Sequence, residues 1–287
     1  MRFIKAKSIL TANGGHGMNV FRGCTHGCIY CDARSECYQI PPPFENVIIK
    51  ENAAELLEAA LSRKRKKCMI GTGAMCDPYI PAEENLRITR QCLEIIFHHG
   101  FGATVHTKSS LVLRDFDLLQ KINARTKAVL QMTLTTFDEN LCRKIEPNVA
   151  TTQERFKVLL KAKEAGIPAV VWISPILPFI NDTEENLLGI LNFCKAANVK
   201  AIVCFGFGLT LRKGNREYFY ERLDKNFPGL KNEYIKIYGD SYEVASKNNS
   251  RLMKILEEFC QKEKIIFGVE KCFSYLSAFE EKERCLF

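Results

Sequence analysis

The feature that most constrains the fold is a regular alternation of helical and strand patterns. Amphipathic periodicity predicts helices over 51–66, 83–99, 115–124, 152–165 and 183–197. Short apolar runs rich in β-branched residues predict strands over 18–22, 68–73, 102–107, 127–135, 168–174 and 199–206. This alternation is typical of βα units around a parallel sheet. Six strands with right-handed crossovers fit either an open partial barrel or a doubly wound sheet, and the pattern alone does not choose between them.

The alternation of helix and strand patterns ends at about residue 210. The segments "REYFYERLDKNFPGLKNEYIKIYG" and "NNSRLMKILEEFCQKEKI" have helical patterns without intervening strands. We therefore predict an α/β core over residues 1–210 and a C-terminal helical extension over 211–287. The extension is expected to pack on the core and to close part of the barrel or shape its mouth.

Composition bounds the class of protein. The chain has 287 residues, of which 46% are hydrophobic and 26% charged, the balance of a globular protein with a substantial core. The N-terminus lacks the pattern of a signal peptide, and no apolar run is long enough to cross a membrane. Thirteen scattered cysteines fit a reducing compartment, so a cytoplasmic location without membrane attachment is expected. The net charge of +8 is weak support for a polyanionic partner such as nucleic acid.

The stretch "RGCTHGCIYCDARS" places Cys24, Cys28 and Cys31 on one loop, with no fourth cysteine in step. A structural zinc ion needs four ligands, so zinc would have to recruit a distant Cys or His26. Three thiolates can instead hold three irons of a [4Fe–4S] cluster and leave the fourth iron open to a ligand. Both readings stay open on spacing alone, and the cluster is favoured.

This motif and its context resemble a known family. The spacing C-x3-C-x2-C with Tyr30 before the third cysteine, directly after the first predicted strand, resembles the radical S-adenosylmethionine (SAM) superfamily. The segments "NVFRGCTHGCIYCDAR", "CDPYIPAEE", "VHTKSSLVLRDFDLL", "IEPNVATTQERFKVL" and "SPILPFIND" together resemble its spore photoproduct lyase-like, or DNA repair photolyase-like, branch. The resemblance implies a partial (βα)6 TIM-type barrel.

The resemblance also implies an activity. The cofactors would be a [4Fe–4S] cluster bound by Cys24, Cys28 and Cys31, and S-adenosyl-L-methionine bound at the open iron. The reduced cluster would cleave SAM to methionine and a 5′-deoxyadenosyl radical, which abstracts hydrogen from a substrate. A reductant such as flavodoxin or ferredoxin would be a partner. The branch suggests a large substrate, with nucleic acid favoured and a DNA-repair lyase as the model activity.

Further roles are carried over by position. Gly71, Thr72, Gly73 and Ala74 match a small-residue stretch whose backbone receives the methionine amino group in the superfamily. Lys108 matches a lysine that approaches the cofactor carboxylate, and Thr133 or Thr135 could hydrogen-bond the ribose. Tyr30 would pack near the adenine, or it could be a core aromatic residue. Glu146 and Arg155 could form a polar pair near the barrel mouth, and Asp77 could simply belong to a turn.

Two departures put lesion repair in the strict sense in doubt. In the repair enzymes a tyrosine follows the third cluster cysteine and takes part in hydrogen return, whereas Asp32 occupies that position here. Those enzymes also use a cysteine after the second strand as hydrogen donor. Cys76 lies nearby, in different surroundings, and is the candidate donor.

Three alternatives therefore remain. The first is radical SAM chemistry on a nucleic acid, the second is the same chemistry on a peptide, protein or small molecule, and the third is a non-enzymatic zinc or nucleic-acid-binding module. Cys260, Cys272 and Cys285, spaced by twelve and thirteen residues, are weak candidates for an auxiliary cluster.

Overall fold

The computed structural model describes residues 1–11 and 16–282. Its strands are β1 (Arg2–Ile4), β2 (Gly17–Met18), β3 (Phe21–Arg22), β4 (Ile48–Lys50), β5 (Met69–Thr72), β6 (Gly102–Thr107), β7 (Ala128–Thr133), β8 (Ala169–Trp172), β9 (Ala201–Val203), β10 (Gly208–Thr210), β11 (Glu243–Ala245) and β12 (Ile266–Phe267).

The helices alternate with these strands along most of the chain. They are α1 (Ala53–Arg63), α2 (Glu83–Leu86), α3 (Ile88–His98), α4 (Phe116–Arg125), α5 (Glu139–Ile145), α6 (Thr152–Glu164), α7 (Glu184–Ala196), α8 (Asn215–Asn226), α9 (Leu230–Tyr238), α10 (Asn249–Glu263) and α11 (Val269–Ser277). Short 3-10 helices span Asp32–Arg34, Glu36–Tyr38 and Ser110–Asp115.

The main sheet has seven strands in the order β2-β5-β6-β7-β8-β9-β12, and every neighbouring pair is parallel. Parallel strands need crossover connections, which α1, α3, α4, α6 and α7 provide. The predicted α/β partial barrel is confirmed. Two smaller sheets accompany it, the three-stranded β1-β4-β3 and the antiparallel pair β10-β11.

The two faces of the main sheet are covered differently. Because side chains alternate along a strand, Leu130 and Met132 of β7 point to the helix-covered face, where they join the largest hydrophobic cluster. Val129 of β7 points to the opposite, inner face. There it packs in a smaller cluster with Cys272 and Leu276 of α11. The last helix therefore forms a floor over the lower part of the barrel interior.

The structure differs from the sequence-based boundaries at several points, of which three concern segments with a predicted element. The strand predicted over 18–22 is split, because β2 joins the main sheet and β3 pairs with β4. The helix predicted over 83–99 is interrupted at Arg87, which adopts a left-handed conformation with φ of 55°. The C-terminal region is helical as predicted, but it also contains β11 and β12, which its helical patterns did not indicate.

Within the described residues, no helix combines the length and apolarity that crossing a bilayer demands. The described cysteines are all free thiols.

Candidate functional site

The three-cysteine loop follows β3 and lies at the carboxyl-terminal side of the main sheet. Gly23 opens the loop with φ of +85°, and a Cβ there would lie 2.4 Å from the backbone oxygen of Phe44. Any other residue would be strained and would collide with backbone, so glycine is required for the loop to fold against the 44–47 segment. Cys28 is buried, whereas Cys24 and Cys31 are partly buried.

The three thiols form one electrostatic group. A hydrogen bond from Cys76 is the main reason why the pKa of Cys24 lies well below its usual value. Burial raises the pKa of Cys28, and the positive charge of Lys108 opposes that rise. Burial and then the charge of Cys24 raise the pKa of Cys31. The pKa of Cys24 is therefore lowered while burial keeps those of Cys28 and Cys31 raised, and the nearby Lys108 cation works against that burial effect at both.

This donor set fits a cubane better than a single metal ion. Within residues 1–11 and 16–282, no three Cys, His, Asp or Glu side chains converge as one metal ion requires. A [4Fe–4S] cluster does not need such convergence, because each thiolate binds a different iron. Cys24, Cys28 and Cys31 would therefore hold such a cluster.

The segment after α5 clamps this loop from one side. Ile145 accepts a hydrogen bond from the amide of Ile29 (2.9 Å), and the amide of Asn148 donates to the carbonyl of His26 (3.1 Å). The Asn148 side chain donates to the carbonyl of Thr25 (3.0 Å). Sequence reasoning missed both α5 and Asn148, because backbone contacts between distant segments leave no pattern in the chain.

A buried ion pair anchors the clamp. Arg155 and Glu146 are both fully buried and bonded to each other. The position of Arg155 is set by the start of α6, where Thr151 and Glu154 form a reciprocal capping box. Arg155 also donates to the carbonyl of Thr133 (2.7 Å). The polar pair proposed from sequence is thus present, but it lies in the interior rather than at an open mouth.

Glu146 ties the ion pair to the cysteine loop. Its Oε1 accepts hydrogen bonds from the hydroxyls of Tyr30 and of Thr135, the latter at 3.2 Å. Burial alone would raise the pKa of Glu146, but Arg155, Lys108 and Tyr30 together hold it below its usual value. Tyr30 is therefore a buried residue fixed through its hydroxyl, one residue before the third cysteine.

Asp77 organises the opposite side of the loop. Its carboxylate accepts hydrogen bonds from the Thr107 hydroxyl and the Lys108 amide, both at 2.7 Å. It also lies 3.4 Å from Nδ1 of His26. Asp77 is more than a turn residue, because it links the end of β6 to the cysteine loop. The Lys108 ammonium lies 5.8 Å from the centre of the Tyr30 ring. Burial opposes its charge, yet Cys28 and Glu146 raise its pKa.

The small-residue stretch ends β5 next to β6. Gly71 pairs with Thr104 and Thr72 with Val105, and Ala74 is exposed in the loop that follows. Gly73 has φ of +99°, and a Cβ there would lie 1.9 Å from the backbone oxygen of His106. The stretch has small side chains because the chain after β5 runs against the backbone of β6.

The remaining candidates are buried and already partnered. Thr133 shares a 2.8 Å hydrogen bond with His106, and Thr135 is bonded to Glu146. Cys76 is buried, with its Sγ 2.6 Å from the carbonyl of Gly23 and hydrogen-bonded to Cys24. Its thiol therefore faces the cysteine loop.

The remaining residues singled out in the sequence are Asp32 and the C-terminal cysteines. Asp32, directly after the third cysteine, accepts a hydrogen bond from the Tyr38 hydroxyl (2.8 Å). Cys260 and Cys272 are buried among hydrophobic residues, and Cys285 lies outside the described residues.

Comparisons with known proteins identify the family of the chain. A family model described as the Radical SAM superfamily matches residues 18–194. An uncharacterized protein of Methanocaldococcus jannaschii is 30% identical over 244 residues, covering 84% of this chain and 83% of that protein. An uncharacterized protein of Mycobacterium tuberculosis is 29% identical over 229 residues. That match covers 77% of this chain but only 66% of the mycobacterial protein.

Among solved structures, spore photoproduct lyase complexed with dinucleoside spore photoproduct matches with a TM-score of 0.62 at 12% identity, covering 91% of this chain and 77% of that chain. A point mutant of spore photoproduct lyase gives 0.64 over 91% and 78% of the two chains, also at 12% identity. Identities this low show a shared fold.

Proposed function

The chain belongs to the radical SAM superfamily, which uses a [4Fe–4S] cluster and SAM, and from that premise we propose that it reductively cleaves SAM to start radical chemistry on a large substrate. The bound cofactors supply the chemistry: an electron from the cluster cleaves SAM to methionine and a 5′-deoxyadenosyl radical, which abstracts a hydrogen atom. The observation that carries the proposal is the loop with three neighbouring thiols, clamped from both sides and accompanied by the cation of Lys108.

The protein's own residues provide placement. Cys24, Cys28 and Cys31 would hold the [4Fe–4S] cluster, and because the motif has no fourth cysteine, the cluster would keep a site for SAM. Lys108 keeps its positive charge in a largely buried place, which suits a contact with that carboxylate.

The strand ends next to the loop serve the rest of the cofactor. The backbone at Gly71, Thr72, Gly73 and Ala74 receives the methionine amino group. Thr133 or Thr135 contacts the ribose, since a hydroxyl that already has one partner retains capacity for another hydrogen bond. Tyr30, held by Glu146, borders the adenine.

Cys76 is the candidate donor for returning hydrogen to a substrate radical. Its thiol faces Gly23 and Cys24, so this role requires the substrate to approach the cysteine loop from that side. A second role fits the same contact, because a thiol that donates to a cluster ligand adjusts the electron density on that sulfur.

Nucleic acid is the substrate class that we favour. The net charge of +8 favours a polyanion, and the fold is shared with spore photoproduct lyase, which was solved with a dinucleoside photoproduct. A lyase acting in DNA repair is one form of this proposal, although Asp32 stands in place of a tyrosine. A peptide, protein or small-molecule substrate is the alternative. The electron donor would be a flavodoxin or ferredoxin in the cytoplasm.

Anaerobic reconstitution tests the central proposal. We expect about four irons and four sulfides per chain, an absorption band that bleaches with dithionite, and 5′-deoxyadenosine formed from SAM. Cys28→Ala should abolish all 5′-deoxyadenosine formation. Cys37→Ala is the matched control, because Cys37 is an exposed thiol that follows the triad closely in sequence without belonging to it.

Retention of zinc alone, or equal activity in the Cys28 and Cys37 variants, would overturn the proposal. The substrate class is tested by incubating deuterated oligonucleotides and peptides with the enzyme and measuring deuterium in the 5′-deoxyadenosine. Binding of the oligonucleotides should weaken steeply with salt.

A further inference from the structure

A group of aromatic rings lies on the inner face of the barrel, above the floor formed by α11. Trp172 is the last residue of β8, Phe205 lies two residues beyond β9, and Phe273 belongs to α11. Trp172 points inward because it alternates with Val171, which packs on the helix-covered face. The rings are thus brought together by three elements that are far apart in sequence.

The rings contact one another, yet two of them remain exposed. The Trp172 centroid lies 5.8 Å from that of Phe205 and 5.9 Å from that of Phe273. His106 stacks on Trp172 at 4.6 Å with an interplanar angle of 20°. Yet Phe205 is 59% exposed and Phe273 is 43% exposed. Large aromatic rings with this much exposure on an otherwise buried inner face mark a ligand surface rather than packing.

Polar groups at the edge of these rings are buried and incompletely used. Gln131 is 6% exposed, and its Oε1 accepts the indole N–H of Trp172 at 2.9 Å. No residue in the described part of the chain accepts a hydrogen bond from its Nε2. Burial and then Lys108 lower the pKa of His106 to about 3, so this ring is neutral at physiological pH. The surface therefore offers flat faces with one amide donor at the edge.

We propose that Trp172, Phe205 and Phe273 form a stacking site for a nucleobase of the substrate, with the Gln131 amide at the base edge. This rests on the proposed function, whose substrate class it makes specific. A nucleobase matches both features of the site, because its π-face can stack on the rings and its edge carries acceptors for the amide donor. The net positive charge of the chain favours a ligand that carries phosphates.

The site also lies where a radical reaction needs its substrate. Thr133 pairs in register with Trp172, and Lys108 follows β6 two residues after His106, the ring that stacks on Trp172. A stacked base would therefore sit one to two strands away from the residues assigned to SAM. The C-terminal region takes part directly, since Phe273 belongs to it.

The chain contains a single tryptophan, which makes the test direct. Fluorescence of Trp172 is recorded in the reconstituted enzyme under anaerobic conditions while single-stranded oligothymidylate is added at two salt concentrations. We expect saturable quenching that weakens with salt. Phe205→Leu and Phe273→Leu should each weaken the apparent affinity about tenfold, the loss typical of one stacking contact. Phe179→Leu is the control, because Phe179 is 43% exposed but contacts Tyr234 and Tyr238 elsewhere.

The outcomes separate this inference from the proposed function. Absence of saturable quenching, an unchanged affinity in both Phe variants, or quenching by tyrosine-containing peptides in place of oligonucleotides would overturn the stacking site. Formation of 5′-deoxyadenosine without substrate is measured in the same preparations. If it is normal while quenching is absent, only the stacking site fails, and if it is absent while quenching persists, the proposed chemistry fails.

Discussion

Removing the guanidinium of Arg155 should destabilise the protein far more than removing a surface arginine. Arg155 is fully buried and bonded to Glu146, to the carbonyl of Thr133 and to Sγ of Cys142 (3.1 Å). Arg155→Met keeps most of the volume, so the cavity contribution is small. The main cost is a carboxylate left buried without its cation.

The expected magnitude follows from what remains around Glu146. Breaking one side of a buried ion pair costs about 3–5 kcal/mol. The lower end applies here, since the hydroxyls of Tyr30 and Thr135 still donate to Glu146 and Lys108 still contributes positive charge. We expect a loss of about 3 kcal/mol in the free energy of unfolding, or roughly 6–12 °C in melting temperature for a chain of this size.

The assay is guanidinium unfolding of the cluster-free protein, with Arg251→Met as the matched control. Arg251 pairs with Glu184 at 2.6 Å but is 71% exposed, so its substitution should cost about 1 kcal/mol or less. In the double variant Arg155→Met/Glu146→Gln the carboxylate that has lost its cation is removed as well, and part of the loss should be recovered. Equal losses for Arg155→Met and Arg251→Met, or a double variant no more stable than Arg155→Met, would refute this reasoning.

Three further predictions concern the residues around the site. Gly73→Ala should lower the thermal stability of the protein clearly more than Gly166→Ala. Both glycines have a positive φ, which costs an alanine about 1–2 kcal/mol, but only at Gly73 would the Cβ also collide with backbone. Similar losses of stability in the two variants would contradict this. Because the pKa of His106 is about 3 in the folded chain and 6.5 in the unfolded chain, only the unfolded chain binds this proton between those values. Between these two pH values the free energy of unfolding should therefore decrease as the pH is lowered. The decrease should be steeper than in His106→Gln, by at most about 1.4 kcal/mol per pH unit. Parallel stability profiles of the two proteins would contradict this. Asn148→Ala should speed cluster loss to a chelator, whereas Gln120→Ala, which removes a 3.2 Å side-chain bond to the carbonyl of Ala165 away from the cysteine loop, should not.

The regular part of the fold could be predicted because its periodicities are local. The strands β6 and β7 and the helices α4 and α6 all lie within two residues of their predicted bounds. The break at Arg87 could not be predicted, because it depends on a tertiary contact. The buried carboxylate of Glu83 accepts the amides of Ile88 and Thr89 at 3.1 and 3.0 Å, and so caps a new helix. Strands of two or three residues such as β12 are too short to carry a pattern.

The candidate site likewise has a part that could be predicted from the sequence and a part that could not. The three cysteines lie on one short stretch of sequence, so the sequence could propose them together as cluster ligands. The ties that hold them are not contiguous, since Tyr30 and Glu146 are 116 residues apart. Sequence could propose that Glu146 and Arg155 pair, but not that the pair reaches the cluster loop through Tyr30. The aromatic surface escaped prediction because each of its rings reads as an ordinary apolar residue at the end of a strand or in a helix.

The C-terminal region links the fold to substrate choice. β12 extends the main sheet at the edge opposite β2, and α11 then turns back to cover the lower inner face through Cys272 and Leu276. A ligand therefore cannot lie deep in the barrel and must occupy the layer between α11 and the strand ends, where Trp172 and Gln131 are.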